Sequence, residues 1–281
     1  MGSHDHPVIP AYAGIPGRLL TGLDAVLRGC LPGRPERLTA LDAAIRAPLP
    51  LSTGVGVVGA GDAAPTGVVA GLLAGVLAAR RPHRVLWVSG LRQDRPAGPQ
   101  PADAARRATA RTGDEATAGL GRTPSGAWTL ELESPARWWD AVAPISRFFD
   151  FVITDWGTPA ALDDARAAST VVLVVTAANR DGLRAGVDLR ARLGGSDLTA
   201  LLAMHDLGTA PRGLAEAARV NGASWLPADR GLDGLDQRAG GLDELDRRKR
   251  RVRFATTTAA LELAAGVVDA AVARNRAESV A

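Results

Sequence analysis

Short, almost continuously apolar runs alternate along this chain with stretches whose apolar residues recur at helical spacing. Val55–Val58, Arg84–Ser89, Phe149–Asp155, Val171–Val175 and Leu198–Met204 are runs of the first kind, and they predict strands buried on both faces. Between them, Val68, Leu72, Leu73, Val76 and Leu77, and later Leu183, Val187, Leu189 and Leu193, fall at the i, i+3, i+4 spacing of a helix face. Pro135–Arg147, Pro211–Val220 and residues 255–274 read as three further helices. Trp128–Leu132 alternates as a strand, and Ala223–Pro227 reads as a short edge strand. Strands that alternate with helices in this way predict an α/β fold, a mostly parallel sheet sandwiched by helices.

Two shorter helical patterns stand ahead of the first strand. Leu19, Leu20, Leu23, Val26 and Leu27 form one, Leu38, Leu41 and Ile45 the other, and Pro32-Gly33-Arg34-Pro35 divides them. They predict a helical N-terminal extension over residues 17–49 in front of an α/β domain spanning residues 50–281. Residues 1–16 are expected to form a disordered tail, and Met1-Gly2-Ser3-His4 has the character of a cloning remnant. Residues 91–125 are rich in Arg, Ala, Gly, Pro and Asp with weak periodicity, which predicts a mobile insertion.

Candidate chemistry concentrates where the first strand ends. Val55-Gly56-Val57-Val58-Gly59-Ala60-Gly61-Asp62-Ala63-Ala64-Pro65-Thr66-Gly67 passes from strand through a glycine-bearing loop into a helix, the order of a phosphate-binding loop. Against the pattern G-x-x-x-x-G-K-[ST], Gly59 and Thr66 are in register, while Ala64 replaces the second glycine and Pro65 the lysine. Pro65 brings neither charge nor an N–H, Asp62 adds a negative charge, and Ala64 adds a Cβ where backbone and phosphate would approach. Gly59, Gly61, Ala64, Pro65 and Thr66 therefore outline a degenerate nucleotide site. The helix N-terminus remains as an anion-favouring feature.

A second element lies about a hundred residues on. Asp155 ends an apolar strand ahead of Trp156-Gly157-Thr158-Pro159, the place where a Walker B carboxylate holds Mg²⁺; an aspartate there also serves to cap the following turn. In this combined order the chain resembles the deviant Walker ATPases of the ParA/MinD type, a P-loop family of the SIMIBI class, over roughly residues 50–275. The stretch 55–66 is similar to that family's phosphate loop, 84–89 to its second strand, 149–159 to its Walker B segment and 226–230 to its late strand and loop. Arg34-Pro35-Glu36-Arg37, the segment 78–86 and the turn Asn179-Arg180-Asp181-Gly182 resemble most the actinobacterial MinD-like proteins associated with type VII (ESX) secretion.

The resemblance also shows what has changed. The family's two loop lysines would fall at Ala60 and Pro65, and its aspartate after the second strand at Ser89. Thr66 and Asp155 remain as the metal-side residues for any bound Mg-ATP or Mg-ADP. The resemblance with these departures implies a pseudo-ATPase: no firmly held cofactor, no ATP hydrolysis, and a regulatory or scaffolding role as a homodimer or as the partner of a related active ATPase. One alternative is an unconventional nucleotide-binding ATPase in which an arginine of the same chain or of a partner replaces the lysine, with Arg84 and Arg92 as candidate donors. Another is a positioning protein that meets DNA or an anionic membrane through Arg247, Arg248, Lys249, Arg250 and Arg251, a run that reads equally as a solvated helix face.

Composition narrows the remaining classes. The chain has 281 residues, 46% of them hydrophobic, enough for one large α/β domain. Lys249 is the sole lysine, so the formal net charge of +3 rests on arginine, as a GC-rich genome would encode it. With one cysteine, Cys30, there is no disulfide framework, and the apolar runs are too short or too interrupted to predict a membrane span or signal peptide; a cytoplasmic protein is expected. His4, His6, His83 and His205 form no metal or catalytic spacing. Of the adjacent Trp138 and Trp139, about 100° apart on a helix, one is expected in the core and the other partly at the surface.

Overall fold

The computed structural model describes residues 34–49, 51–61, 64–90, 102–194, 198–229, 232 and 253–278. Eight strands form one sheet: β1 (Thr53–Gly59), β2 (Val85–Ser89), β3 (Gly121–Arg122), β4 (Trp128–Glu131), β5 (Phe151–Gly157), β6 (Val171–Ala177), β7 (Thr199–His205) and β8 (Ala223–Leu226), in the order β3-β4-β2-β5-β1-β6-β7-β8. Every neighbouring pair is parallel except β3 with β4. β1, β5 and β6 occupy the middle of the sheet, so both their faces are covered. Their sequences are accordingly apolar at consecutive rather than alternate positions.

Helices complete the two outer layers. α1 (Arg34–Ile45), α2 (Thr66–Ala78) and the C-terminal α9 (Phe254–Glu278) bury Leu38, Ile45, Leu73, Leu77, Leu261 and Val268 against Val55, Val57, Leu173 and Val175. On the other face lie α3 (Ala102–Ala108), α4 (Gly113–Thr117), α5 (Trp138–Ala141), α6 (Leu162–Ala168), α7 (Arg180–Leu193) and α8 (Leu214–Val220), against Val58, Val88, Val172 and Val174. The expected α/β sandwich with a helix in front of it is what the chain forms. Among the described residues, the segment Phe254–Arg276 of α9 is long and apolar enough to cross a membrane, but 61% of its most apolar window is buried in the core.

Three expectations are corrected. The insertion predicted as mobile over 91–125 is folded from residue 102 onward: it forms α3, α4 and β3, and Ala104, Ala110 and Ala116 are buried. The helix predicted over Pro135–Arg147 is broken into 3-10 turns at 135–137 and 146–148 around the single turn of α5, because Pro144 supplies no N–H and disfavours helix at Ala143. α1 starts at Arg34, within the segment read as a divider, with Pro35 in its first turn, where a missing N–H costs nothing. The pattern at residues 19–27, Cys30, Arg92 and the basic run Arg247–Arg251 lie outside the described residues.

The central strand is held at close quarters by α6. A Cβ on Gly54 would stand 2.5 Å from the backbone oxygen of Ala168. Gly54→Ala is expected to destabilise the fold by about 2 kcal/mol, since a main-chain atom cannot move aside as a side chain can. An unchanged urea midpoint would show that α6 yields freely.

Candidate functional site: a self-bonded phosphate loop

β1 leaves the sheet at Gly59, between β5 and β6, and the chain returns as α2 at Thr66. Asp62 and Ala63 lie outside the described residues. The loop is pressed down on its surroundings: a Cβ on Gly59 would stand 2.8 Å from the Ala64 methyl and 3.1 Å from the carbonyl oxygen of Gly157. Glycine is required there by space. The Ala64 methyl occupies part of the concavity that a second glycine would leave open.

Three amides of the loop are already engaged. Ala60 N–H donates to Val175 O at 2.8 Å, Ala64 N–H to Gly61 O at 3.0 Å, and Thr66 N–H to Ala64 O at 2.9 Å. Pro65 has no N–H, and it stands at the N-cap of α2 with φ −81° and ψ 58°, one position earlier than the first helical residue, with no side chain capping the helix. A phosphate cradle works by aiming successive free N–H groups at an anion. Among the described residues of this loop, three amides donate inside the chain and a fourth position has none.

Asp155 sits opposite Val57 in the β1–β5 ladder, and the register slips after it, so that Val58 pairs with Gly157. The Asp155 carboxylate (Oδ1) accepts the Gly157 N–H at 3.1 Å, and Gly157 adopts φ +69°. The side chain thus closes an Asp-x-Gly turn, as sequence reasoning had allowed. Gly157 itself was not singled out; its signal is the glycine two residues after an aspartate at a strand end. Trp156 turns inward and is 1% exposed, with its ring centroid 6.0 Å from that of Trp138. Trp138 Nε1 donates to Thr154 Oγ1 at 3.0 Å.

The structure brings Gly59, Ala64 and the Asp155–Gly157 turn together at the carboxyl end of the sheet, where ligands of parallel α/β folds bind. Thr66 is buried at the start of α2, and Ser89 is buried at the same end of β2. Arg84 does not belong to this group. It precedes β2 at the amino end of the parallel strands and lies 3.4 Å from Asp150, which precedes β5. A five-residue strand puts about 16 Å between the two ends of β2, so Arg84 cannot replace the lysine of its own chain's loop. His205 is buried at the end of β7, whereas His83, at φ 65°, lies at the amino end, 3.1 Å from an Arg122 nitrogen. No three His, Cys, Asp or Glu side chains gather into a metal site among the described residues.

Several solved structures share this architecture. A ParA family ATPase from Chlorobium tepidum TLS superposes with a TM-score of 0.54 at 14% identity, over 76% of this chain and 98% of that one. The chain has the ParA/MinD fold. MinD of Aquifex aeolicus, from its complex with MinC, gives a TM-score of 0.54 at 14% identity over 77% of this chain and 96% of its own. MinD of Pyrococcus horikoshii OT3, complexed with Mg-ADP, gives 0.51 at 15% identity over 75% and 94%. No family model and no curated protein sequence matches the chain. Within the ParA/MinD fold, the loop between β1 and α2 is the place for nucleotide phosphates. The described residues here do not fit that group in the ordinary manner: no cation faces the loop from Pro65, the Ala64 methyl fills space, and the amides of Ala60, Ala64 and Thr66 are spent on carbonyls.

Proposed function

We propose that this protein is a catalytically degenerate ParA/MinD-fold pseudo-ATPase that acts as a regulatory or scaffolding partner through protein contacts, in association with a type VII-like secretion apparatus or with an intact ATPase of the same fold. The observation that carries this reading is the loop itself, in which Ala60, Ala64 and Thr66 donate their N–H groups to Val175, Gly61 and Ala64 while Pro65 stands in the lysine position. A protein that retains the fold without the phosphate cradle has kept surfaces rather than chemistry. The unconventional-ATPase reading loses support with Arg84 at the opposite end of the sheet.

Calorimetric titration with Mg-ATP and Mg-ADP, followed in parallel by tryptophan emission, tests the proposal. No saturable binding is expected up to millimolar nucleotide. Saturable binding that weakens in Asp155→Ala or Thr66→Ala would overturn it. The double variant Ala64→Gly/Pro65→Lys provides the positive control: it frees the space at Gly59 and supplies a charge-assisted donor. It is expected to raise affinity by roughly one to two orders of magnitude over the unaltered chain.

A further inference from the structure

One edge of the sheet is β3, two residues paired with β4; the other is β8. The carbonyl oxygen of Leu226 accepts the Asp206 N–H at 2.8 Å, so Leu226 and, two residues before it, Ser224 turn their backbone groups onto β7. Ala223 and Trp225 therefore aim both N–H and C=O away from the sheet, and no described residue takes them up. The row is closed at both ends. Gly222, at φ +67°, gives its N–H to Arg219 O at 2.9 Å and its carbonyl to Arg190 Nη1 at 3.4 Å. Pro227 has no N–H to offer. Between them the outward N–H and C=O groups stand symmetrically about Ser224.

An edge of this make-up is its own complement. Turned about a two-fold axis at Ser224, a second β8 runs antiparallel to the first. Ala223 of each copy then stands opposite Trp225 of the other and exchanges both backbone hydrogen bonds with it, while Ser224 meets Ser224 in the closer, non-bonded pair, with about 4.5 Å between Cα atoms. Both outward N–H groups of each copy are satisfied. A longer strand from a different protein would run past Gly222 and Pro227, where the edge has no free donor. The side chains agree with the two-fold register. Ala223 and Trp225 share the face covered by α8, with Ala223 8% exposed and Trp225 half-buried, so each indole is laid across a methyl rather than against a second ring. On that face α8 carries Ala215 and Ala217, half-buried and small, which lets the two copies of the helix lie side by side where the sheet continues.

We propose that β8 is a self-association edge: two copies of this chain pair antiparallel through residues 223–225 and continue one sheet across the two-fold axis. In the sheet order β1-β6-β7-β8 this edge stands away from β1, so the contact leaves the degenerate phosphate loop untouched and forms whether or not nucleotide binds. Its small extent makes the dimer weak and dependent on concentration.

Sedimentation equilibrium over a concentration series tests this, and a monomer–dimer equilibrium is expected. Ser224→Lys and Ser224→Glu each set like charges opposite one another on the axis and should weaken the dimer by about fivefold or more, whereas an equimolar mixture of the two variants brings opposite charges together and should restore it. That rescue is a result that local unfolding would not give. Ala223→Pro removes one outward N–H at an edge position that tolerates proline, and should abolish the dimer with the far-UV circular dichroism unchanged. The double variant Cys30→Ser/Ser224→Cys should cross-link on oxidation, since the expected Cα separation is within disulfide reach. A chain that stays monomeric at every concentration overturns the proposal. A mixture of the charged variants no tighter than its components overturns the two-fold register at Ser224, and the proposal with it. Association that persists unchanged in Ala223→Pro and in both charged variants also overturns it and assigns self-contact to another face.

Discussion

Trp138→Ala is expected to lower the stability of the protein by about 4 kcal/mol, the upper range for an aromatic removed from a core. Three losses combine. The ring is 4% exposed and contacts both Trp156 and Trp139, so its removal leaves a cavity on the face covered by α5 and α6. The hydrogen bond to Thr154 disappears, and the Thr154 hydroxyl, in a residue 2% exposed, keeps its desolvation without its partner. Trp138→Phe separates the terms, since it retains most of the ring but not the N–H, and it is expected to cost about 1–2 kcal/mol. Urea unfolding followed by circular dichroism reads both. A cost under about 1 kcal/mol for the alanine variant would mean that Trp139 swings inward to refill the site.

Arg81→Met is the second large effect, expected to cost on the order of 3 kcal/mol and to lower the melting temperature by roughly 6–12 °C. Arg81 is 8% exposed and ties three separate segments together. Its Nε donates to Ile45 O at 2.8 Å and one terminal nitrogen to Ala47 O, satisfying carbonyls at the carboxyl end of α1; the other terminal nitrogen reaches Asp150 at 2.8 Å. The guanidinium also lies 5.5 Å from the Phe151 ring centroid. Methionine keeps the stem and loses every polar contact. Arg84 supplies the contrast: it meets the same aspartate at 3.4 Å but is 64% exposed, so Arg84→Ala is expected to change stability by less than about 0.5 kcal/mol. Equal effects from the two substitutions would show that Asp150, rather than the α1 carbonyls, is what Arg81 serves.

The strands of this fold were legible because β1, β5 and β6 are buried on both faces and spell that out as unbroken apolar runs. α3 and α4 were not, because the apolar residues this segment buries are alanines, at positions 104, 110 and 116, whose small side chains barely modulate the hydropathy of an Arg-rich segment. The break in the helix predicted over 135–147 was written in Pro144, which the run of apolar residues around it outweighed. At the candidate site, the missing lysine, the proline and the aspartate at a strand end could all be read directly. What no sequence pattern could supply is where the loop amides point. That Ala64 and Thr66 turn their N–H groups onto Gly61 and Ala64 follows from three-dimensional closure of the loop against Gly157. Arg84 was misassigned for a related reason: sequence proximity to a functional strand does not say which end of it a residue occupies.

The pairing of α1 with α9 has a bearing on how the molecule is made. Arg37 meets Glu262 at 2.5 Å across a sequence separation of 225 residues, so the first described helix packs against the last. During synthesis α1 is made long before α9 and lacks that partner until residues 254–278 have been translated. The sheet and its Arg81 clasp can form before then, leaving α9 to complete the layer. Nascent chains halted before residue 254 would therefore expose Leu38, Leu73 and Leu77 to chaperones, and vulnerability to proteolysis should fall sharply only once residues 254–278 have emerged.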